Sequence, residues 1–145
     1  MEVTNKVYPN EAQIKGFLEP GAEGSICMVN LLKFRKNAEY EDGRETSLTG
    51  FEAYQLYEGA IKEILQRVGG CIGFEGGVER LALGEVEELW DMVALAVWPS
   101  RRVMLEVMQS QEMQDISVHR TAGLAGQLNI ETTRFKGQWL DGEAT

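Results

Sequence analysis

The order of apolar patterns along this 145-residue chain predicts an α+β fold: a four-stranded antiparallel sheet carrying two principal helices. Segments of period two and of period near 3.6 alternate as strand, helix, strand, strand, helix, strand, after one short leading helix. That succession is the split βαβ arrangement. Two of the strands are apolar on both faces, as expected of a sheet that is covered on both sides. At 43% hydrophobic and 26% charged residues, the composition suits one core within a single domain over residues 1–145.

The elements follow in order. Residues 9–19 read as a short amphipathic helix, with Asn10 as N-cap, Ile14, Phe17 and Leu18 as its apolar stripe, and Pro20-Gly21 as its stop. Residues 25–34 form the first strand, with Ile26, Met28, Leu32 and Phe34 on one face and Cys27, Val29 and Leu31 on the other. Residues 37–49 are polar and charged and read as a loop. Residues 51–68 carry Tyr54, Tyr57, Ile61, Ile64 and Val68 on one helical stripe, closed by Gly69-Gly70. The second strand begins at Cys71, with a bend expected at Gly76-Gly77 and a continuation over 78–83. Residues 90–98 form the third strand, and Pro99-Ser100 opens a helix with Ser100 as N-cap and Val103, Met104, Val107 and Met108 inward. A further turn around Met113 and Ile116 precedes the His119-Arg120 segment, and residues 128–135 are read as the last strand. From about residue 137 the tail is polar apart from Trp139 and Leu140.

A split βαβ puts its helices on one sheet face and leaves the other bare. The leading helix can cover part of that apolar face, and a second copy of the sheet can cover the rest, so a homodimer with sheets face to face is expected.

Composition narrows the function classes. A formal net charge of −9 argues against nucleic acid, which needs a basic surface to displace counterions. No apolar run reaches the ~20 residues of a membrane span, and the start, MEVTNKVYPNEAQ, lacks the basic and apolar blocks of a secretory signal. A cytoplasmic protein is expected, with Cys27 and Cys71 as buried free thiols. One histidine and no CxxC pair predict no metal site. The acidic groups Glu39, Glu41, Asp42 and Glu45, and Glu85, Glu87 and Glu88, read as solvated loops. The string GGCIGFEGG lacks a GK[ST] ending and reads as strand punctuation.

The segments MVNLLKF, GFEAYQLY, WDMVALAVWPSR and HRTAGL resemble the family named domain of unknown function 1330, of the dimeric α/β-barrel superfamily with ferredoxin-like folds. The resemblance covers residues 26–133, with WPSR followed by HRTAGL as its most specific part. It implies a ferredoxin-like fold and a homodimer, and it carries over no catalytic set. By analogy with the wider superfamily, a cofactor-free isomerase or monooxygenase, or haem held by His119, stays open.

The residues themselves suggest a site. His119 titrates nearest neutrality and is the natural acid or base, and Arg120 beside it suits a carboxylate or developing negative charge. The plainer alternative has His119 capping a turn and Arg120 in an ion pair. Asn30, on the face of Met28 and Leu32, needs hydrogen-bond partners, whether in the protein or in a ligand. Tyr54 and Tyr57 either pack the core or line a pocket between helix and sheet. Asp91 requires a partner such as Arg101, Arg120 or a backbone amide, and Trp98 either stacks on a planar ligand or fills the dimer interface. The expectation is a small carbonyl or aromatic molecule bound or converted between sheet and helices without a cofactor, or else a non-catalytic binding or structural homodimer.

Overall fold

The computed structural model describes residues 2–21 and 23–137. The polar tail expected from about residue 137 lies almost wholly outside the described residues. Helix α1 is Glu11–Leu18, opened by a reciprocal box in which Asn10 Oδ1 accepts from Gln13 N (2.8 Å) and Gln13 Oε1 accepts from Asn10 N (2.9 Å). Strand β1 is Ile26–Phe34, helix α2 Gly50–Arg67, strand β2 Cys71–Gly77 and strand β3 Met92–Trp98. Helices α3 (Arg101–Met108) and α4 (Gln111–Gly123) lead into strand β4, Leu124–Thr132. The sheet order is β2-β3-β1-β4 with every neighbouring pair antiparallel, which is the ferredoxin-like topology.

Register sorts the side chains. Ile26, Met28 and Leu32 of β1 and Trp98 of β3 turn toward the helices, where they meet Tyr54, Tyr57, Ile61, Ile64 and Leu65 of α2, with Met104, Val107 and Met113 from α3 and α4. On the opposite face the pairs Val29–Leu95, Leu31–Val93, Val29–Ile130 and Leu31–Leu128 form an apolar sheet surface. Its residues are only half-buried, and Ile130 is 47% exposed. The leading helix does not cover this face. Phe17 packs with the helix-side core, whereas Ile14 and Leu18 stay exposed.

Several expectations are corrected by local geometry. Strand β2 ends at Gly77, and its register shift falls between Ile72 and Phe74, at Gly73, not at Gly76-Gly77. Residues 78–91 return as a loop closed by Val78 N donating to Asp91 O (2.9 Å), and Gly84 turns there with φ +89°. The apolar residues that suggested a continuing strand have no sheet to join, and Leu83 is 92% exposed. The turn expected around Met113 and Ile116 is a full helix of its own: Ser110 opens α4 as its N-cap, accepting from Met113 N (3.2 Å). Helix α4 then runs straight through His119 and Arg120 into β4, which starts at Leu124, four residues before the expected position. Cys27 is buried, as expected, but Cys71 is only half-buried.

Residues 37–49 are irregular and nevertheless pinned. Ala38 N donates to Leu48 O (3.0 Å) and Glu39 N to Ala122 O (3.0 Å). Ala38 and Tyr40 pack with Ala53 and Ala122 as a second small core.

Candidate functional site

The two adjacent residues of the HRTAGL segment go separate ways from α4. Tyr40, from the pinned loop, sits edge-on to the His119 ring at 88°, and its hydroxyl lies 2.7 Å from Nδ1. The Arg44 guanidinium lies over the Tyr40 ring, 4.5 Å from its centre. Burial and then the positive Arg44 push the His119 imidazole below its ordinary pKa, favouring the neutral ring. Arg120 points the opposite way, donating to Val7 O (2.8 Å) and to Gln127 Oε1 (2.5 Å).

Gln127 is buried and polar and is not among the site residues that the sequence predicts. It pairs with Leu32 across the strands and so projects among the helices. Its Nε2 donates to Asn30 Oδ1 (2.6 Å), and Asn30 Nδ2 donates to Met28 O (3.1 Å) and Ala94 O (3.3 Å). Asn30 and Arg120 are thus joined through Gln127 in a chain of protein hydrogen bonds that ties the N-terminal segment, β1 and β4 together. Gln127 and Asn129 are the two polar residues of LAGQLNI, and only the strand start at Leu124 puts Gln127 inside the sheet. Tyr54 and Tyr57 are buried in the helix-side core, where burial pushes both hydroxyls up in pKa. Trp98, only 2% exposed, fills the same core within the protomer.

Asp91 stands apart from these residues. Its Oδ2 accepts from Phe34 N (2.9 Å) and its Oδ1 from Lys33 Nζ (3.3 Å), while the same ammonium reaches Glu88 at 3.3 Å and Leu89 O at 3.0 Å. The backbone amide is among the partners expected for Asp91. The cation is Lys33 rather than Arg101, which pairs with Glu131, or Arg120.

Beside Asp91 lies a pocket of about 400 Å³ between the N-terminal turns of α2 and the β2–β3 edge. Phe34, Phe51 and Met92 supply its apolar lining, Gly77 its strand edge, and Glu75 and Asp91 its charged groups. Of the seven residues singled out from sequence, Asp91 lines it and the other six do not. Phe51, Glu58 and Lys62 recur at steps of seven and four, so α2 presents all three along one stripe. Glu75, opposite Ala94, meets that stripe. Lys62 Nζ donates to Glu58 Oε1 (2.7 Å) and Glu75 Oε2 (2.9 Å). Burial, and then the hydrogen bond to Glu58, raise the Glu75 carboxyl above its ordinary pKa, with Lys62 opposing the shift. The sequence sign was one carboxylate inside an otherwise apolar and glycine-rich strand, CIGFEGG. Among the described residues, no group of three or more His, Cys, Asp or Glu is arranged to hold a metal ion, and no helix is long and apolar enough to cross a membrane.

Topology and core together define a ferredoxin-like α+β protein. Comparison with solved structures then narrows this. A protein of unknown function from Rhodopseudomonas palustris, RPA0582, superposes with a TM-score of 0.81 at 28% identity, covering 92% of this chain and all of that one. The structure of its methylated form gives a TM-score of 0.82 at 31% identity, covering 94% of this chain and 99% of that one. The chain belongs to one family with RPA0582. A dimeric protein of unknown function with a ferredoxin-like fold from Bacteroides fragilis is a more distant match, with a TM-score of 0.48 at 10% identity over 74% of this chain and 94% of that one. No protein-family profile and no curated protein matches the chain.

Proposed function

We propose that this is a cytoplasmic homodimer of the domain of unknown function 1330 family, paired through the open sheet faces, in which each protomer binds a small aromatic or carbonyl compound in the Phe34–Phe51–Met92 pocket. The observation that carries the ligand reading is the pocket itself. It is an open groove of about 400 Å³ that joins an apolar wall to two carboxylates, and its volume is that of a small-molecule site. In this reading Asp91 and Glu75 orient the ligand. Asn30 and Arg120 hold β1 and β4 in place, and His119 anchors the 37–49 loop. Tyr54, Tyr57 and Trp98 shape the core behind the pocket.

Gly77 offers a direct test. It pairs with Met92 on the pocket side of the sheet, and a Cβ built there meets nothing within 4 Å. Gly77→Leu therefore fills the pocket without disturbing the backbone. Calorimetric titration with a panel of small aromatic amines, alcohols and acids is expected to find compounds that bind the natural chain and fail to bind Gly77→Leu. Binding by no panel member, or binding that Gly77→Leu leaves unchanged, overturns the reading.

A further inference from the structure

The pocket wall has a feature that selects among ligands. Phe34 and Phe51 meet edge to face with ring centres 5.2 Å apart at 62°, and both border the cavity. Aromatic faces attract cations through their quadrupole. The two charged side chains that line the cavity with these rings, Glu75 and Asp91, have the matching sign, and each belongs to an ion-pair cluster. From β1, Lys33 is shared between Asp91 and Glu88. From α2, Lys62 is shared between Glu58 and Glu75 of β2. Two lysines thus face four carboxylates, and each cluster keeps one carboxylate in excess. Among the described residues no cationic side chain lines the cavity, and both ammonium groups are already engaged by carboxylates. The Phe34 amide, a possible anion donor at the rim, is used by Asp91.

Resting on the pocket reading above, we propose that the ligand class is a small aromatic or aryl-alkyl amine bound as its ammonium ion. Its ring lies against Phe34, Phe51 and Met92, and its charge lies between Glu75 and Asp91. A carboxylate ligand of the same shape would meet two like charges and no free donor. An alcohol would fit but would leave the excess negative charge unbalanced. Burial and Glu58 raise the Glu75 carboxyl above its ordinary range, so it takes up a proton sooner than an ordinary carboxylate as pH falls. Amine affinity is accordingly expected to fall as pH is lowered and Glu75 protonates. The groups that meet it are Glu58 and Lys62 from α2; Asp91, paired with Lys33, is the other carboxylate lining the cavity.

Three isosteres separate the possibilities: 2-phenylethylamine, 2-phenylethanol and phenylacetate, titrated calorimetrically at low salt into the natural chain, Glu75→Gln, Asp91→Asn and Gly77→Leu. The expected result is amine binding about tenfold tighter than the alcohol, with no measurable binding of the acid. Glu75→Gln and Asp91→Asn should each lower the ratio of amine to alcohol affinity toward one. Equal binding of amine and alcohol, abolished by Gly77→Leu, overturns the cation assignment and leaves the pocket standing. Binding of none of the three, or binding indifferent to Gly77→Leu, removes the pocket and this inference with it.

Discussion

A neutral His119 makes its contact with Tyr40 dependent on pH. The folded chain holds the imidazole below its ordinary pKa of 6.5, so the unfolded chain binds the proton more tightly. The resulting stabilisation is complete above about pH 6.5 and is lost as pH falls through the lowered folded value. Urea unfolding at pH 7.5 and pH 5.5 should show the natural chain weakening on acidification and His119→Gln weakening less. Parallel losses in the two proteins would rule out His119 as the source. At pH 7.5 the Tyr40 hydrogen bond itself is worth about 1 kcal/mol. Glu75 acts with the opposite sign, since a raised carboxyl stabilises below its ordinary value and loses that contribution as pH rises, so the comparison with His119→Gln is what isolates the histidine. Of the sequence-level site, the need of Asn30 and Asp91 for partners was legible, because a polar group in an apolar strand must be satisfied. The partners were not, since they depend on which strands lie side by side. Asn30 finds Gln127 from 97 residues away, and Asp91 finds the amide of Phe34.

At the scale of elements, α2 and α4 meet where two glycines let their backbones touch. A Cβ on Gly50 would overlap the Arg35 carbonyl oxygen, and one on Gly123 would overlap the Gly50 carbonyl oxygen, with Tyr54 N at 2.9 Å. These are backbone atoms and cannot swing aside. Gly123→Ala should therefore cost about 3 kcal/mol. Gly59 lies in the interior of the same helix α2, is exposed, and has open space where its Cβ would stand. There Gly59→Ala should stabilise by about 0.5–1 kcal/mol through helix propensity alone. Chemical unfolding of both variants checks the pair, and a Gly123→Ala protein as stable as Gly59→Ala would contradict the close contact. Helix existence and caps were readable because they are local: Asn10 and Ser100 cap α1 and α3 as their residue types require. The end of β2, the restart at Ser110 and the early start of β4 were not, because Leu81 and Leu83 carry a strand-like pattern whose fate depends on whether another strand is there to receive it.

For the whole molecule the deciding quantity is the apolar sheet face that no helix of the described residues covers. Four strands of seven to nine residues present roughly 500 Å² in plan, from the usual strand spacing and rise, near the top of what monomers expose. The sequence signalled this face, because Val29, Leu31, Val93, Leu95 and Val97 are apolar where a one-sided sheet would carry polar residues. Leu95 lies on β3 between Val29 of β1 and Phe74 of β2, near the middle of that surface. Arginine at this position places a charge that water solvates freely in a single protomer and that a face-to-face pair would have to bury without a partner, at a cost of several kcal/mol. The helix-side core does not include Leu95, so the protomer itself should stay folded. Sedimentation velocity on the natural chain should then give twice the 16.2 kDa mass. Leu95→Arg should sediment at the single mass with unchanged far-ultraviolet dichroism. A natural chain that sediments as a monomer, or a Leu95→Arg protein that remains a dimer, would mean that the open face is not where two copies meet.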